Sequence, residues 1–252
     1  MIKVVILGCG NVGTQLSKAF FKSKKIDLLQ VYCRSGANSF FTKKKIDIVT
    51  NLSKLKEADV YIIAISDDAI ADFAKKLLQK NALVVHTSGA VAMDVLPFKR
   101  KGVFYPLQTI SKNKKISFKK VPFCIEANSK KDLKILKKLA KTISKKVYKI
   151  DSEQRKNLHV AAVFVNNFVN HLYAIAETIC VEKDVPFSIL KPLIIETANK
   201  IKKTSPVNAQ TGPAIRNDQK TIEEHLKLLQ PKQQEIYKLL TNSIKNTHQN
   251  NS

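Results

Sequence analysis

Residues 6–14 read ILGCGNVGT and place glycines at Gly8, Gly10 and Gly13, the spacing G-x-G-x-x-G. The residues before them, IKVVIL, predict a strand, and the residues after Gly13 predict a helix. In such a turn the first glycine permits the bend, the second lets the backbone approach a pyrophosphate, and the third lets helix and strand pack closely. The stretch therefore predicts a dinucleotide-binding loop, with Gly8, Gly10, Asn11, Val12 and Gly13 as contacts. A glycine-rich turn that binds no ligand is the alternative.

The end of the second predicted strand, LLQVYCRSG, indicates which dinucleotide this loop binds. NAD sites usually carry Asp or Glu there to bond the ribose 2′-hydroxyl. Here Arg34 and Ser35 occupy the position. Because a guanidinium can pair bidentately with a 2′-phosphate, the pair predicts NADP rather than NAD. The alternative is that Arg34 is an ordinary loop arginine.

The order of apolar patterns along the chain predicts the fold. The first 150 residues alternate short apolar runs with helical patterns, which indicates a mostly parallel sheet covered on both faces. After Asp151 the strand signals stop and helical patterns continue. We therefore predict an α/β fold: a Rossmann-type domain over 1–150, an all-α domain over 151–245, and a disordered tail over 246–252. The predicted strands are 3–7, 28–33, 46–50, 59–65, 82–86, 103–105, 122–126 and 146–150, and the predicted helices are 11–22, 68–79, 152–183, 186–202, 219–229 and 231–245.

The net charge of +24 invites a nucleic-acid interpretation. However, 40 of the 44 basic residues are lysine, and the four arginines are Arg34, Arg100, Arg155 and Arg216. Arginine is the usual residue for base-edge contacts, and the lysines are spread over every segment. The composition therefore favours a solvated lysine surface and no nucleic-acid partner. Nucleic-acid binding, the third functional interpretation, would appear as an affinity that falls steeply with added salt.

Cysteine usage and the N-terminus indicate a cytoplasmic protein. Cys9, Cys33, Cys124 and Cys180 are scattered without close spacing, so we predict neither a disulfide framework nor a metal or redox C-x-x-C site. The chain opens on an apolar strand and lacks the pattern of a signal peptide. The apolar stretch 158–181 contains two histidines, three asparagines and a glutamate, which predicts a buried helix rather than a membrane span.

Polar residues follow three further predicted strands. VYIIAI ends in Ser66 and Asp67, ALVVHT leads to Ser88, and VFYP runs into Gln108. Because ligands in such folds bind beyond the carboxyl ends of the strands, Ser66, Asp67 and Ser88 are predicted cofactor contacts and Gln108 a substrate contact. Helix capping by Asp68, turn chemistry at Ser88, and a hydrogen-bonded core role for His86 remain alternatives.

Two segments of the second domain carry candidate substrate groups. Arg155, His159, Asn166 and Asn170 recur at intervals of four, seven and four, which in an α-helix places them on one face. Either they form hydrogen bonds between helices, or they face the nicotinamide. The loop 209–218 supplies the substrate contacts Gln210, Thr211 and Arg216, of which Arg216 could bind a carboxylate. A loop in which Asp218 caps the next helix is the alternative.

The motifs taken together resemble known families. ILGCGNVG with VYCRS resembles the NADP-binding domains of pyrroline-5-carboxylate reductases and hydroxyacid dehydrogenases. SDDAI, HTSG, FYPLQT, LHVAAVFVNNFVNHLY and AQTGPAIRND together resemble a bacterial family of Rossmann-like proteins described as NADP-dependent oxidoreductases, with a helical C-terminal domain of unassigned role. The resemblance covers nearly the whole chain and implies this fold, NADP, and a homodimer formed through the helical domain.

One departure from the resembled enzymes bears on the reaction. Hydroxyacid dehydrogenases of the wider group carry a catalytic lysine on the long helix, followed by two asparagines. The asparagines match Asn166 and Asn167, but the lysine position falls at Val163, which cannot donate a proton. His159 is the nearest titratable side chain on that face. We therefore predict His159, Asn167 and Asn170 as catalytic residues.

Two functional hypotheses from different classes follow. The first is an NADP-dependent oxidoreductase that acts on a small polar, anionic substrate held between the domains, with His159 exchanging the proton and no metal involved. The second is a regulatory or scaffold protein that binds NADP without turnover, which Val163 favours.

Overall fold

The computed structural model describes residues 1–34, 39–78, 81–111 and 116–249. Eight strands form one sheet: β1 (Ile2–Leu7), β2 (Ile26–Tyr32), β3 (Ile48–Val49), β4 (Val60–Ile63), β5 (Leu83–His86), β6 (Lys101–Pro106), β7 (Phe123–Ala127) and β8 (Val147–Lys149). Their spatial order is β3-β2-β1-β4-β5-β6-β7-β8. The chain order reverses between β1 and β4, and in open sheets of this kind the crevice at that reversal binds the ligand.

The sheet is parallel from β3 to β6, and only its far end differs. β7 pairs antiparallel with β6, and β8 runs parallel to β7. The predicted Rossmann-type, mostly parallel sheet is therefore confirmed. Because β7 and β8 run against the other strands, β8 starts at the carboxyl edge of the sheet and leads the chain away from it.

Helices and apolar side chains cover both faces of this sheet. The helices of this part are α1 (Asn11–Phe21), α2 (Ser39–Lys43), α3 (Ile70–Lys75) and α4 (Lys130–Lys141). One buried cluster lies on the face of Val4, Leu16 and Phe104, and a second on the face of Val5 and Tyr61. Alternate residues of β1 thus serve opposite faces, as expected for a strand buried on both sides.

A long helical segment follows β8 after a short connection. It comprises α5 (Ser152–Ala162), a π-helical turn (Val163–Phe168) and α6 (Val169–Glu182). Asp151 begins it with a capping box: its carboxylate accepts from the backbone N–H of Gln154, whose side chain accepts from the N–H of Asp151. The predicted shared face of Arg155, His159, Asn166 and Asn170 assumed an uninterrupted α-helix, and the π-helical turn interrupts that helix after Ala162.

The remaining helices are α7 (Lys191–Lys200), α8 (Pro206–Ala209), α9 (Gln219–Leu228) and α10 (Pro231–Gln249). The predicted disordered tail is wrong for residues 246–249, because α10 continues through them. These residues contain no Gly or Pro, so nothing in the side chains ends the helix earlier. Residues 250–252 lie outside the described residues.

The chain forms two compact units, 1–166 and 167–252. The division falls inside the π-helical turn rather than at the predicted boundary of residue 150. The difference arises because the first turns of α5 are tied to the sheet: Ser152 and Arg155 both bond Glu126 of β7. His159 therefore belongs to the sheet unit, and Asn167 and Asn170 belong to the helical unit.

The segment Ser152–Glu182 is long and apolar enough to cross a membrane by length and composition alone, and none of its apolar window is buried. The prediction of a buried helix is therefore wrong for the single chain. Val165 is 75% exposed and Val181 is 68% exposed.

Candidate functional site

The glycine loop has the shape that its spacing predicts. Gly8 has a φ of +121°, a conformation that residues with side chains rarely adopt. A Cβ there would collide with the carbonyl oxygen of Ala64, and a Cβ at Gly13 would collide with the carbonyl oxygen of Gly8. A Cβ at Gly10, in contrast, would meet no atom within 4 Å. Packing thus dictates two of the glycines, and the third faces open space where a pyrophosphate would fit.

The start of α1 fits an anionic group as well. Gly10 is its N-cap, and the helix has neither a side-chain cap nor an acidic residue in the first turn. The N-terminus of a helix favours negative charge because its first N–H groups point outwards and the helix dipole is positive there. Asn11, Val12 and Gly13 occupy this first turn.

Alanine substitutions at two of these glycines are expected to have opposite effects. Gly13→Ala should destabilise the sheet unit by about 2–3 kcal/mol, since its methyl group must displace the backbone of Gly8. Gly10→Ala should leave stability within about 0.5 kcal/mol of the parent and instead weaken nucleotide binding. Thermal unfolding followed by circular dichroism measures the first effect, and calorimetry with NADPH the second. Equal stability losses in both variants would contradict this division.

The end of β2 brings two predicted features together. Arg34 is exposed and follows Cys33 directly, whereas Ser35 lies outside the described residues. The expectation of no disulfide is wrong: Cys9 of the glycine loop and Cys33 are bonded, with a Cα–Cα distance of 5.3 Å. The cysteines meet because β1 and β2 are neighbouring parallel strands, whose carboxyl ends lie side by side. The sequence does not indicate the pairing, since the two residues are 24 positions apart.

The loops after β4, β5 and β6 lie along the carboxyl edge. Ser66 and Asp67 are exposed there, as is Gln108, whose side-chain oxygen accepts from the backbone N–H of Thr109. Ser88 is buried, and its hydroxyl oxygen accepts from the N–H groups of Ala90 and Val91, so it shapes the turn after β5.

His86 is a hydrogen-bonded core residue. Its Nδ1 accepts from the N–H of Ser88 at 3.2 Å, and its Nε2 lies 3.4 Å from the carbonyl oxygen of Ala92. Burial, together with the positive charge of Arg155, lowers the pKa of His86 to about 4. The imidazole is therefore neutral near pH 7 and holds the loop that carries Ser88 and Gly89.

The structure brings His159 to the end of β6. Its Nδ1 lies 3.2 Å from the hydroxyl of Tyr105, and the two rings meet edge to face. A Cβ at Gly89 would lie 2.6 Å from this Nδ1, so only a residue without a side chain leaves room there. Burial, with smaller contributions from Cys124 and Asp67, raises the pKa of Tyr105 to about 12. The neutral phenol can donate to Nδ1, and in that arrangement Nε2 carries the imidazole hydrogen.

A buried ion pair holds α5 in this position. Arg155 is fully buried, and its guanidinium pairs with Glu126 and donates to the carbonyl oxygen of Val91 at 2.6 Å. The hydroxyl of Ser152 donates to the same carboxylate at 2.8 Å and accepts from the N–H of Met93 at 3.0 Å. The network therefore joins α5 to β7 and to the loop after β5, one helical turn before His159.

The other candidate residues belong to the helical unit. Asn167 lies in the π-helical turn and Asn170 at the start of α6; both are exposed. Arg216 is exposed, and the Gln210 side chain donates to the carbonyl oxygen of Thr211. Asp218 caps α9, accepting from the N–H and hydroxyl of Thr221, and these hydrogen bonds lower the pKa of Asp218.

Sequence reasoning missed three elements of the sheet unit: Tyr105, the Arg155–Glu126 pair and the cysteine pair. The sequence does carry a signal for Tyr105, because this residue stands near the end of the predicted strand VFYP, three positions before the predicted substrate contact Gln108. The two pairs join residues far apart in sequence and needed the topology.

The chain is similar to known protein domains and to solved structures. Residues 3–135 match the NAD binding domain of semialdehyde dehydrogenase, and residues 121–244 match the domain of unknown function DUF2520. A structure of a candidate NADP oxidoreductase, BF3122 from Bacteroides fragilis, is 41% identical, with a TM-score of 0.88 over 97% of this chain and 98% of that one. The chain belongs to this Rossmann–DUF2520 family. No curated protein sequence matches the chain.

More distant structures share the fold of the Rossmann–DUF2520 family. Protein TM1727 from Thermotoga maritima is 22% identical, with a TM-score of 0.76 over 98% of this chain and 99% of that one. A 1-pyrroline-5-carboxylate reductase from Streptococcus pyogenes is 12% identical, with a TM-score of 0.63 over 97% of this chain and 98% of that one. The resemblance to reductases with a Rossmann domain is thus confirmed at the level of the fold.

Proposed function

We propose that this protein is an NADP-dependent oxidoreductase that transfers hydride between the nicotinamide and a small polar, anionic substrate. The observation that carries the proposal is the glycine loop, in which Gly8 and Gly13 are fixed by packing while Gly10 faces open space. The 41% identity to a candidate NADP oxidoreductase over nearly the whole chain supports it.

Each part of the cofactor has a candidate partner on the sheet unit. Gly8, Gly10, Asn11, Val12 and Gly13 would hold the pyrophosphate at the start of α1. Arg34, with Ser35 beside it in sequence, would bind the 2′-phosphate, since its guanidinium is exposed directly after β2. The loops of Ser66, Asp67 and Ser88 follow β4 and β5 and would border the nicotinamide half. When bound, NADPH supplies the hydride.

His159 is the proposed proton donor or acceptor. Its pairing with Tyr105 fixes the ring, and the Tyr105 oxygen can accept from Nδ1–H as well as donate to Nδ1. When Nδ1 carries the hydrogen, Nε2 accepts the proton of the substrate, and the imidazolium formed returns that proton in the reverse reaction. The exposed guanidinium of Arg216 is the group proposed to bind a carboxylate of the substrate. The other residues proposed to orient the substrate are Gln108, Asn167, Asn170, Gln210 and Thr211.

Nucleotide preference tests the cofactor assignment. We expect NADPH to bind on the order of ten- to a hundredfold more tightly than NADH, because charge-assisted hydrogen bonds to the 2′-phosphate contribute about 1.5–3 kcal/mol. Arg34→Ala should remove most of this difference, and Arg216→Ala, which removes an arginine outside the glycine-loop unit, should preserve it. Isothermal calorimetry with both nucleotides measures the preference. Equal affinities of the parent protein for NADPH and NADH would refute the assignment.

A second candidate function is an NADP-binding regulatory or scaffold protein without turnover. Val163 favours it, because a residue that cannot donate a proton stands where the resembled dehydrogenases carry lysine. The two functions separate in a screen of NADPH oxidation with small 2-oxo acids and cyclic imines. Tight NADPH binding with no oxidation across the panel would favour the regulatory function.

We also propose that the protein is a cytoplasmic homodimer whose partner covers the apolar surface of the helix Ser152–Glu182. A second copy is favoured over a bilayer because Arg155 and Ser152 anchor the start of this helix to the sheet. Light scattering at micromolar concentration should give twice the mass of the chain. Val165→Asp should yield monomers, whereas Leu78→Asp, at an equally exposed position of the sheet unit, should not. A strictly monomeric parent protein, or one that partitions into lipid vesicles, would contradict the dimer.

A further inference from the structure

A disulfide joins the glycine loop to the residue after β2. Cys9 stands between Gly8 and Gly10, and Cys33 stands directly before Arg34. Their Cα atoms are 5.3 Å apart, well within the span that a disulfide requires. The bond therefore joins the segment proposed for the pyrophosphate to the segment proposed for the 2′-phosphate.

Backbone hydrogen bonds hold the two cysteines together independently of the disulfide. The N–H of Gly8 donates to the carbonyl oxygen of Tyr32 at 3.0 Å, and the N–H of Cys33 donates to that of Val49 at 3.0 Å. The hydroxyl of Thr14 donates to the carbonyl oxygen of Cys9 at 2.9 Å. Reduction would thus leave the thiols adjacent, so the bond can form and break without refolding.

The two sulfurs differ in access. Cys33 is fully buried, whereas Cys9 is partly exposed. The other two cysteines are unbonded, and burial raises the pKa of Cys124 to about 11, which keeps its thiol unreactive. In the cytoplasm, the compartment proposed above, disulfides are mostly transient and redox-sensing, and a bonded pair at a nucleotide loop fits such a reversible role.

We propose that Cys9 and Cys33 form a reversible redox pair that sets the affinity of the glycine loop for NADPH. The oxidant is a small-molecule disulfide. The Cys9 thiolate attacks it and releases one small thiol; the Cys33 thiolate then attacks the Cys9 sulfur and releases the second. In sum, two protein thiols lose two electrons and two protons, and the small disulfide gains them as two thiols.

The geometry gives the direction of the effect. The disulfide joins Cys9 of the loop to the buried Cys33. No atom lies within 4 Å of the position that a Cβ of Gly10 would occupy, so the proposed pyrophosphate position stays open. Oxidation therefore restricts the loop and the Arg34 segment without occupying the nucleotide position. Because a loop that is already ordered loses less freedom on binding, the oxidised protein should bind NADPH about three- to tenfold more tightly than the reduced protein.

The experiment uses the full chain and two readouts. The protein is equilibrated with oxidised glutathione or with dithiothreitol, and free thiols are counted after denaturation. The reduced sample should show four thiols and the oxidised sample two, with Cys9 and Cys33 joined in peptide mapping. Calorimetry with NADPH should show the lower dissociation constant for the oxidised sample, and dithiothreitol should reverse it. Cys9→Ala leaves only the buried Cys33 of the pair and should abolish this redox dependence, and Cys180→Ser should retain it.

The outcomes separate this proposal from the oxidoreductase proposal on which its cofactor rests. Four free thiols after oxidation, or equal or weaker NADPH binding by the oxidised protein, would overturn the redox pair and leave the function intact. A mapped Cys9–Cys33 bond with no NADPH binding in either state would overturn both the affinity effect and the proposed function. The comparison of redox states needs no variant, so a misfolded Cys9→Ala protein would not obscure it.

Discussion

Glu126→Ala is expected to lower the free energy of unfolding of the sheet unit by about 3–5 kcal/mol, because it leaves the guanidinium of Arg155 buried without its counter-charge. The side chain of Arg155 is 1% exposed and that of Glu126 is 15% exposed. The carbonyl of Val91 and the hydroxyl of Ser152 still accept from Arg155, but neither offsets its charge. Urea denaturation followed by circular dichroism measures the loss.

Two comparisons isolate the charge effect. The double variant Arg155→Met, Glu126→Leu removes both charges and should recover most of the stability, since apolar side chains can replace a buried pair at little cost. Asp72→Ala breaks the exposed Lys75–Asp72 pair and should cause no measurable change. A double variant as unstable as Glu126→Ala would show that packing, and not the unpaired charge, dominates.

His159→Ala is expected to lower kcat by about 10²–10⁴-fold for whichever substrate the NADPH oxidation screen identifies, while the dissociation constant of NADPH stays within about twofold. The reason is that His159 contacts Tyr105 at the end of β6, whereas the residues proposed for the pyrophosphate and the 2′-phosphate, whose charged groups contribute most to affinity, lie at the glycine loop and after β2. Asn170→Ala should likewise reduce turnover without weakening NADPH binding. Tyr105→Phe keeps the ring and removes the hydroxyl, so it should shift the pH profile of kcat more than it shifts KM.

The chain offers a matched control for the His159–Tyr105 pair. His225 and Tyr237 form a second histidine–tyrosine hydrogen bond, 2.9 Å long, on the exposed surface of the helical unit. His225→Ala should leave turnover unchanged. Parallel loss of NADPH binding and turnover in His159→Ala would mean that the residue only holds α5 in place, and the catalytic assignment would fail.

Local signals were sufficient to predict the sheet. All eight predicted strands are present, and each end falls within two residues of the predicted one. Apolar runs bounded by polar residues fix such strands regardless of what they pack against. The glycine loop was predictable for the same reason: three residues without side chains in one short turn leave few other interpretations.

Contacts across the sheet could not be predicted in the same way. The Cys9–Cys33 bond depends on β1 lying beside β2, and the Tyr105–His159 pair depends on the reversal of β7 and β8. Neither neighbour relation is encoded by residues close in sequence. The π-helical turn at Val163–Phe168 could not be predicted either, because no residue pattern in it differs from that of the α-helices on both sides.

The reversal of β7 has a geometric consequence for α5. Glu126 stands opposite Val103, and Tyr105 lies two residues further along β6. Two strand residues rise about 6.6 Å, and the four helix residues from Arg155 to His159 rise about 6 Å. The rise of one turn of α5 therefore matches the rise of two residues of β6. When Arg155 is held at Glu126, opposite Val103, His159 reaches Tyr105. One residue inserted between them would put the two contacts out of step, although every side chain that makes them would remain.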